Sequence, residues 1–554
     1  MSLRRALLLI LCAVLVALLA QHCAVSTPDN HSRVVKSKQE LEASGPGCTP
    51  TTCRQPTEAA ALRQPAVVQQ ASPSGSTTIS CPTYSGPLFR KDNAQFQSVS
   101  GAALPLYDHT QKPQAPAGWL QPFPLSDVKL VEGTAQWRSM SVNVEYLLQL
   151  QPDMLLWSWR RNAGLSQPAG ARPAGGWEAP SQELRGHFLG HWLSATAMQW
   201  ASSNDTRLER RMRYVVGAMA EVASGLGSSG YLSAFPDTFL DRYERIEPVW
   251  APYYTLHKVM AGLLDMHVYG KSAQALELTI GLAGYIGGRV ERLVERRGLA
   301  HHWRTLDAEF GGVNDVLWKL AGLTGRAEHR KWASLFDKPC FLAPLALPRA
   351  AGNAGAAGSP GPQATPGGAD SLTRMHGNTH VPVALGALHR HEVTGEPIFR
   401  LLSEQFLTLI NATRTYATGG STHQEEWGEA NRLGHLLGKP PFGTVHQESC
   451  VTHNTHRLAT DLFRATREGR YADFMERLQL NGVMGTQRGS RPGQMLYFYP
   501  LGARSYLPRR ALDALSCATS SSLLSLLTAP CCTPPLAPAD DDVSRCYRHR
   551  RVQD

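Results

Sequence analysis

Beyond its first twenty residues the chain has no apolar run long enough to cross a bilayer, which takes about 20 residues as a helix. It also lacks a basic run interleaved with aromatics, so the formal net charge of +10 does not amount to a nucleic-acid interface. The excess arginine is scattered, as in Arg207, Arg210, Arg211 and Arg213, on what reads as a polar helix face. An H-E-x-x-H motif is missing, which removes the common metalloprotease arrangement. Strand-like alternation is scarce before Met495–Tyr499, which argues against a sheet-built body.

What is present points to a large helical protein. The 554 residues are 42% hydrophobic, enough for a sizeable core in one large domain with insertions or in more than one domain. Arg4 and Arg5 precede an apolar run from Ala6 to Ala20, with small and polar residues at Ala24 and Ser26. This layout predicts a secretory signal peptide over residues 1–25 and a secreted or cell-wall location, with an uncleaved signal anchor as the alternative. Of the eleven cysteines, Cys12 and Cys23 lie in or beside that segment. Cys48, Cys53 and Cys81 cluster in Pro/Ser/Thr-rich sequence, where an oxidising compartment would permit a disulfide of unreadable connectivity. Sequons at Asn30, Asn204 and Asn411 fit the same route.

Residues 26–120 form a Pro/Ser-rich leader with little periodicity. A helical domain is predicted over 121–505. Leu208, Met212, Val215, Met219, Val222 and Leu226 recur at steps of three and four, after the capping group Ser203-Asn204-Asp205 and before Gly227. Phe399, Leu402, Phe406 and Leu409 repeat the pattern behind Pro397, and Leu256, Val259, Leu263 and Met266 do so again. Low-complexity stretches at Ser166–Gly176 and Ala350–Asp370 predict surface loops. Residues 506–554, Ser/Leu-rich and then Pro/Asp-rich, predict a disordered tail.

Histidine, tryptophan, glutamate and asparagine collect beside glycine in loops: Gly175-Gly176-Trp177-Glu178, Arg185-Gly186-His187-Phe188-Leu189-Gly190-His191, Trp250-Ala251-Pro252-Tyr253-Tyr254 and Glu309-Phe310-Gly311-Gly312-Val313-Asn314-Asp315. Flat aromatic faces beside polar hydrogen-bonders suit a sugar, apolar on its faces and hydroxylated at its rim. Loop packing and helix capping would explain any one of these segments alone. His187 and His191 stand four apart, a spacing that serves a metal, a sugar or a satisfied core equally. Gly419-Gly420-Ser421-Thr422-His423-Gln424-Glu425-Glu426-Trp427 sets carboxylates just after a glycine turn. Glu448-Ser449-Cys450 offers an oxygen and a sulfur to one zinc ion, or simply a buried thiol beside an acid.

Together with FPLSDVKL, GYLSAFP, TLHK, NTHVP and LYFYPLG, these segments, in this order from Phe123 to Ala503, resemble the β-L-arabinofuranosidase family, glycoside hydrolase family 127 and its neighbours. The resemblance implies an all-α fold, an (α/α)6 toroid, followed by β-sandwich domains, which are expected to be absent here. It implies removal of β-linked L-arabinofuranose from an oligosaccharide or glycoprotein glycan with retention, using a zinc-bound cysteine nucleophile and a glutamate acid/base. By position, Glu425 matches the acid/base, Glu448 and Cys450 match zinc ligands, His257 and His380 match sugar-contacting histidines, His191 matches one more loosely, and Tyr497 matches a substrate-contacting tyrosine. The family's nucleophile and last zinc ligand come from a Cys-Cys pair. Cys531 and Cys532 stand in that order here, Cys531 as nucleophile and both as zinc ligands. Their surroundings, Thr528-Ala529-Pro530 and Thr533-Pro534-Pro535, do not resemble the family's. A sugar-binding protein without turnover and a truncated inactive fragment are the rival readings, and the toroid's C-terminal end is expected to be incomplete.

Overall fold

A computed structural model describes residues 69–71, 77–79, 107, 113–346, 372–434 and 446–501. All lie in the unit Val67–Asp554. The signal segment, the 350–370 insertion, the tail from 506, and with it Cys531 and Cys532, fall outside the described residues.

Helices make up nearly all of the regular secondary structure among the described residues; two short strands, β1 (Gln69–Ala71) and β2 (Thr77–Ile79), pair antiparallel. Twelve helices build the body: α1 (Ala135–Gln149), α2 (Pro152–Asn162), α3 (His187–Ser203), α4 (Thr206–Gly225), α5 (Pro252–Val268), α6 (Ala273–Arg297), α7 (Val313–Thr324), α8 (Ala327–Leu335), α9 (Gly377–Thr394), α10 (Pro397–Thr413), α11 (Ser449–Thr466) and α12 (Gly469–Arg477). Their starts follow from local chemistry. The Asp205 carboxylate accepts from Arg207 N at 2.8 Å, and Ser272 Oγ accepts from Ala275 N at 3.2 Å, while α2, α5 and α10 open on proline.

From α3 onward the helices alternate in character. Those with odd numbers are buried almost all round, as α5 is from Pro252 to Val259. Those with even numbers bury one stripe: Leu208, Met212, Val215, Met219 and Val222 of α4 face inward, on the predicted spacing. The odd helices α3, α5, α7, α9 and α11 pack in succession as an inner ring, and α2, α4, α6 and α8 pack in succession outside it. This is an α/α toroid. At the far side Ser139 Oγ of α1 donates to Gln487 Oε1, beyond α12, at 2.5 Å.

Connections differ at the two ends. An inner helix passes to its outer partner through a few residues, as at Asn204-Asp205 or Gly325-Arg326. An outer helix returns to the next inner one through long segments, 226–251, 298–312, 336–376 and 414–448. The described parts of these segments lead into the N-terminal ends of the inner helices.

The inner helices approach closely where glycine allows it. A Cβ on Gly190 of α3 would lie 2.2 Å from Lys258 O of α5, and one on Gly262 would lie 2.4 Å from Gly190 O. Inside the ring, Asp315 of α7 meets Arg457 Nη2 at 2.7 Å, His389 Nδ1 at 2.7 Å and Lys319 Nζ at 3.5 Å, and His389 Nε2 reaches Asp461 at 3.2 Å. Burial opposes ionisation of Asp315, but Arg457, Lys319 and His389 outweigh it and hold its carboxyl well below the usual range. Asp461 is depressed in the same way, against burial, by its hydrogen bond from His389 and the nearby cations. The alternating segment Met495–Tyr499 is not a strand. It makes isolated bridges only, Met495 with Gln487 and Phe498 with Glu448, because its neighbours are helix termini and not another strand. Among the described residues no helix is long and apolar enough to cross a membrane.

Two outcomes are expected. Gly190→Ala forces α3 and α5 apart and lowers stability by about 3 kcal/mol, at the upper end for overpacking, as measured by urea unfolding. The depressed carboxylates contribute stability that is present above their unfolded values of about 4 and lost as pH falls through their lower folded values. Urea midpoints should therefore drop from pH 6 to pH 3, and Asp315→Asn should shrink that drop.

Candidate active site

Helix N-termini carry unsatisfied N–H groups and partial positive charge, and five such ends face one another across the inner ring. The side chains placed there answer that field. Glu178, in the turn before α3, accepts from Gly186 N at 2.7 Å and Phe188 N at 2.9 Å and lies 3.3 Å from His187 Nδ1. The GGWE block thus includes a cap. Trp177 beside it starts a line of rings: Trp177 to His187 at 5.8 Å, His187 to His191 at 5.8 Å, His187 to Tyr254 at 6.1 Å and Tyr254 to His257 at 5.8 Å. Trp177 also meets Tyr497 at 5.9 Å. Burial, reinforced by Lys258, pushes His191 and His257 well below the ordinary imidazole value, so both are neutral hydrogen-bonding groups.

A second wall comes from α11. Glu448 occupies its N-cap position and Cys450 its first turn. Ser449 fixes the segment opposite, donating from N at 3.0 Å and from Oγ at 2.9 Å to Tyr497 O. That places the Tyr497 hydroxyl to donate to Glu448 Oε1, with Cys450 Sγ 3.6 Å away. Burial, then the neighbouring Cys450 and Glu425, raise the Glu448 carboxyl well above its usual value. Its Oε2 is buried with no hydrogen-bond partner among the described residues. A buried, unsatisfied carboxylate oxygen beside a thiol fits a divalent soft-tolerant cation such as zinc. Glu448 and Cys450 would supply two donors. Among the described residues there is no cluster of three or more metal-ligating side chains, so further ligands would have to come from elsewhere in the chain.

Glu425 sits between these walls on a constrained loop. Thr422, Gln424 and Glu425 have φ of +82°, +51° and +70°, a region that favours glycine. The loop is held there by Gly377 N donating to Glu425 O at 2.7 Å, Gln447 N to Thr422 O at 3.2 Å and Trp427 N to Met375 O at 3.1 Å. The Glu425 carboxylate lies 3.5 Å from His376 Nε2, and Glu309 lies 3.9 Å from the same nitrogen. Burial works against a charge on His376, but Glu309, Glu425 and Glu448 raise its pKa to about 10.

The structure thus brings Glu425, Glu448, Cys450, Tyr497, His191 and His257 to one end of the ring. His380 sits behind it. Its Nδ1 donates to His376 O at 2.9 Å, Lys338 Nζ donates to its Nε2 at 3.3 Å, and its ring packs on Phe341. The side chain that reaches Glu425 is His376, one turn earlier in the same block. Sequence reading named Glu309 only within a sugar-suited segment, with no role of its own, and did not single out His376, Asn378 or Asn454. Asn454 donates to Asn378 Oδ1 at 2.8 Å and to Cys450 O at 3.1 Å, and Asn378 donates to Tyr254 OH at 2.9 Å, tying α11, α9 and α5 together behind the pocket. The blocks HGNT and VTHN carried that signal, and only the register of each helix end decides which member faces inward.

Fold and pocket define the class first: an α/α toroid with a carboxylate, a thiol and aromatic rings at the N-terminal end of its inner ring. The chain belongs to the GH127 β-L-arabinofuranosidase catalytic-domain family, whose profile matches residues 127–539. A solved GH127 β-arabinofuranosidase superposes with a TM-score of 0.51 at 14% identity, covering 76% of this chain and 61% of that one. A GH127 β-L-arabinofuranosidase from Geobacillus stearothermophilus T6 gives 0.49 at 13% identity, covering 72% and 63%. The chain therefore spans about three fifths of the length of these two structures. No curated protein matches the sequence.

Tyr497→Phe should leave Glu448 Oε1 without its donor. The expected cost is about 1–3 kcal/mol in urea unfolding, and Glu448→Gln combined with it should recover part of that loss.

Proposed function

We propose that this protein is a retaining glycoside hydrolase that removes terminal β-linked L-arabinofuranose from oligosaccharides or glycoprotein glycans in the secretory pathway or cell wall. The observation that carries the reading is a juxtaposition: Gln447 N donates to Thr422 O at 3.2 Å and so ties the Glu425 loop to the residue before Glu448, bringing a proton-transfer group beside the Glu448–Cys450 pair. Family membership and the line of aromatic and imidazole side chains support it.

In this reading the sugar lies against Trp177 and Tyr254, and neutral His191 and His257 exchange hydrogen bonds with its hydroxyls. Glu425 gives its proton to the departing oxygen and afterwards takes one from water. Glu448 and Cys450 would hold zinc, which, when bound, keeps cysteine sulfur as thiolate at neutral pH. Tyr497 orients Glu448. Cys531 is the proposed nucleophile and Cys532 the fourth ligand, on the family's pattern alone.

The test is arabinose release from an aryl β-L-arabinofuranoside by the full chain, with and without added zinc. Release that depends on zinc is expected, and Glu425→Ala and Cys450→Ser should each reduce it by about a hundredfold or more. Tight arabinoside binding by folded protein with no release would establish a sugar-binding protein instead.

A further inference from the structure

Three carboxylate and imidazole groups from separate connections meet at the pocket mouth. Glu309 precedes α7, His376 caps α9, and Glu425 stands in the segment between α10 and α11. All three are partly open to the pocket, with side-chain exposures of 37%, 20% and 36%. The orientation of His376 is fixed from behind. Its Nδ1 accepts from Thr379 N at 3.3 Å and faces Thr379 Oγ1 at 3.1 Å. With Nδ1 turned to Thr379, whose Oγ1 can accept from it when the ring is charged, Nε2 carries the proton that faces the pocket in either charge state. That Nε2–H points between Glu425 Oε2 at 3.5 Å and Glu309 Oε1 at 3.9 Å, so neither carboxylate holds it fully.

We propose that His376 and Glu309 are positioning residues that set which oxygen of Glu425 carries the mobile proton and steady the carboxylate once that proton has gone. This rests on the reading of Glu425 as the acid/base. With Nε2–H donated toward Oε2, the transferable proton of Glu425 sits on Oε1. In the first step the sugar carbon bonds to the nucleophile as its bond to the glycosidic oxygen breaks, and the Glu425 O–H proton passes to that departing oxygen. Glu425 is then anionic, and His376 Nε2–H shortens its bond to Oε2. In the second step the water oxygen bonds to the sugar carbon as the bond to the nucleophile breaks, the nucleophile keeping that electron pair, and a water proton returns to Glu425. His376 can then lean toward Glu309. No proton leaves His376, and no further reactant is required. The charged groups facing His376 are Glu309, Glu425 and, farther off, Glu448; their combined charge gives the ring its upward shift against burial.

Two variants separate positioning from scaffolding. His376→Asn keeps an N-cap side chain for α9 but removes the Nε2–H, and Glu309→Gln keeps shape and removes charge. Hydrolysis is followed on aryl β-L-arabinofuranosides whose leaving groups differ in acidity. His376→Asn should lower kcat about tenfold on the least acidic leaving group, a fraction of the whole general-acid effect, and far less on the most acidic one. It should also move the pH profile, with KM little changed. An equal loss on every leaving group would overturn the proposal. A second readout needs no turnover: ring-nitrogen NMR of the full chain. His376 should titrate well above an ordinary histidine, and Glu309→Gln and Glu425→Gln should each lower that midpoint. A His376 titration indifferent to both substitutions would overturn the proposal even in an inactive chain. Absence of any hydrolysis by the unaltered protein, with the coupled titration present, would count against the catalytic reading of Glu425 and leave the three-residue coupling standing.

Discussion

An inner helix of a ring has no solvent to satisfy the N–H groups of its first turn, so side chains and neighbouring loops must do so. The pocket is built from that requirement. Glu178 serves α3 and the His376 ring serves α9, whereas Glu448 takes the N-cap position of α11 with its carboxyl turned to Tyr497 instead of to the helix. The same helix ends favour negative charge nearby, which works against the burial that raises the Glu448 carboxyl. Structural capping and candidate chemistry are therefore not separate sets of residues here.

The body of the fold was legible from spacing. The stripe Leu208 to Val222, the Asp205 cap and Pro397 at the head of α10 appear as the sequence foretells, because period and capping are local properties. Candidate residues were legible only by block. TLHK, the segment Gly419–Trp427 and Glu448-Ser449-Cys450 each lead to the pocket, yet His376 stands just before the block NTHVP that holds His380, and spacing does not decide between them. His376 takes the cap and turns its Nε2 to Glu425, whereas His380, one turn on, points at Lys338 and Phe341. Met495–Tyr499 misled for a related reason. Alternation records which side chains are buried, and here that burial comes from Ser449, Cys450 and Trp177 instead of a partner strand.

Charge is handled differently in the ring's interior and at its mouth. Asp315, Arg457, His389 and Asp461 are mutually compensated in the interior, each carboxylate facing more than one cation. At the mouth, carboxylates outnumber cations: Glu309, Glu425 and Glu448 share one imidazole. The first arrangement secures the helices to one another. The second leaves protons weakly assigned, which is the condition a proton-transferring site needs.

The uneven lengths of the connections have an effect on how such a protein can change. Because the far rim is stitched by two or so residues per hairpin, material added there would pry the helices apart. Segments on the pocket side close over gaps already wide, and lengthening a long loop carries little extra entropy. In the sequence, a stretch rich in Ala, Gly and Pro between 347 and 371 lies between α8 and α9. The barrel can thus keep its frame while the rim around the pocket is rewritten, so that selectivity for what enters can drift without touching the architecture that holds the reacting groups.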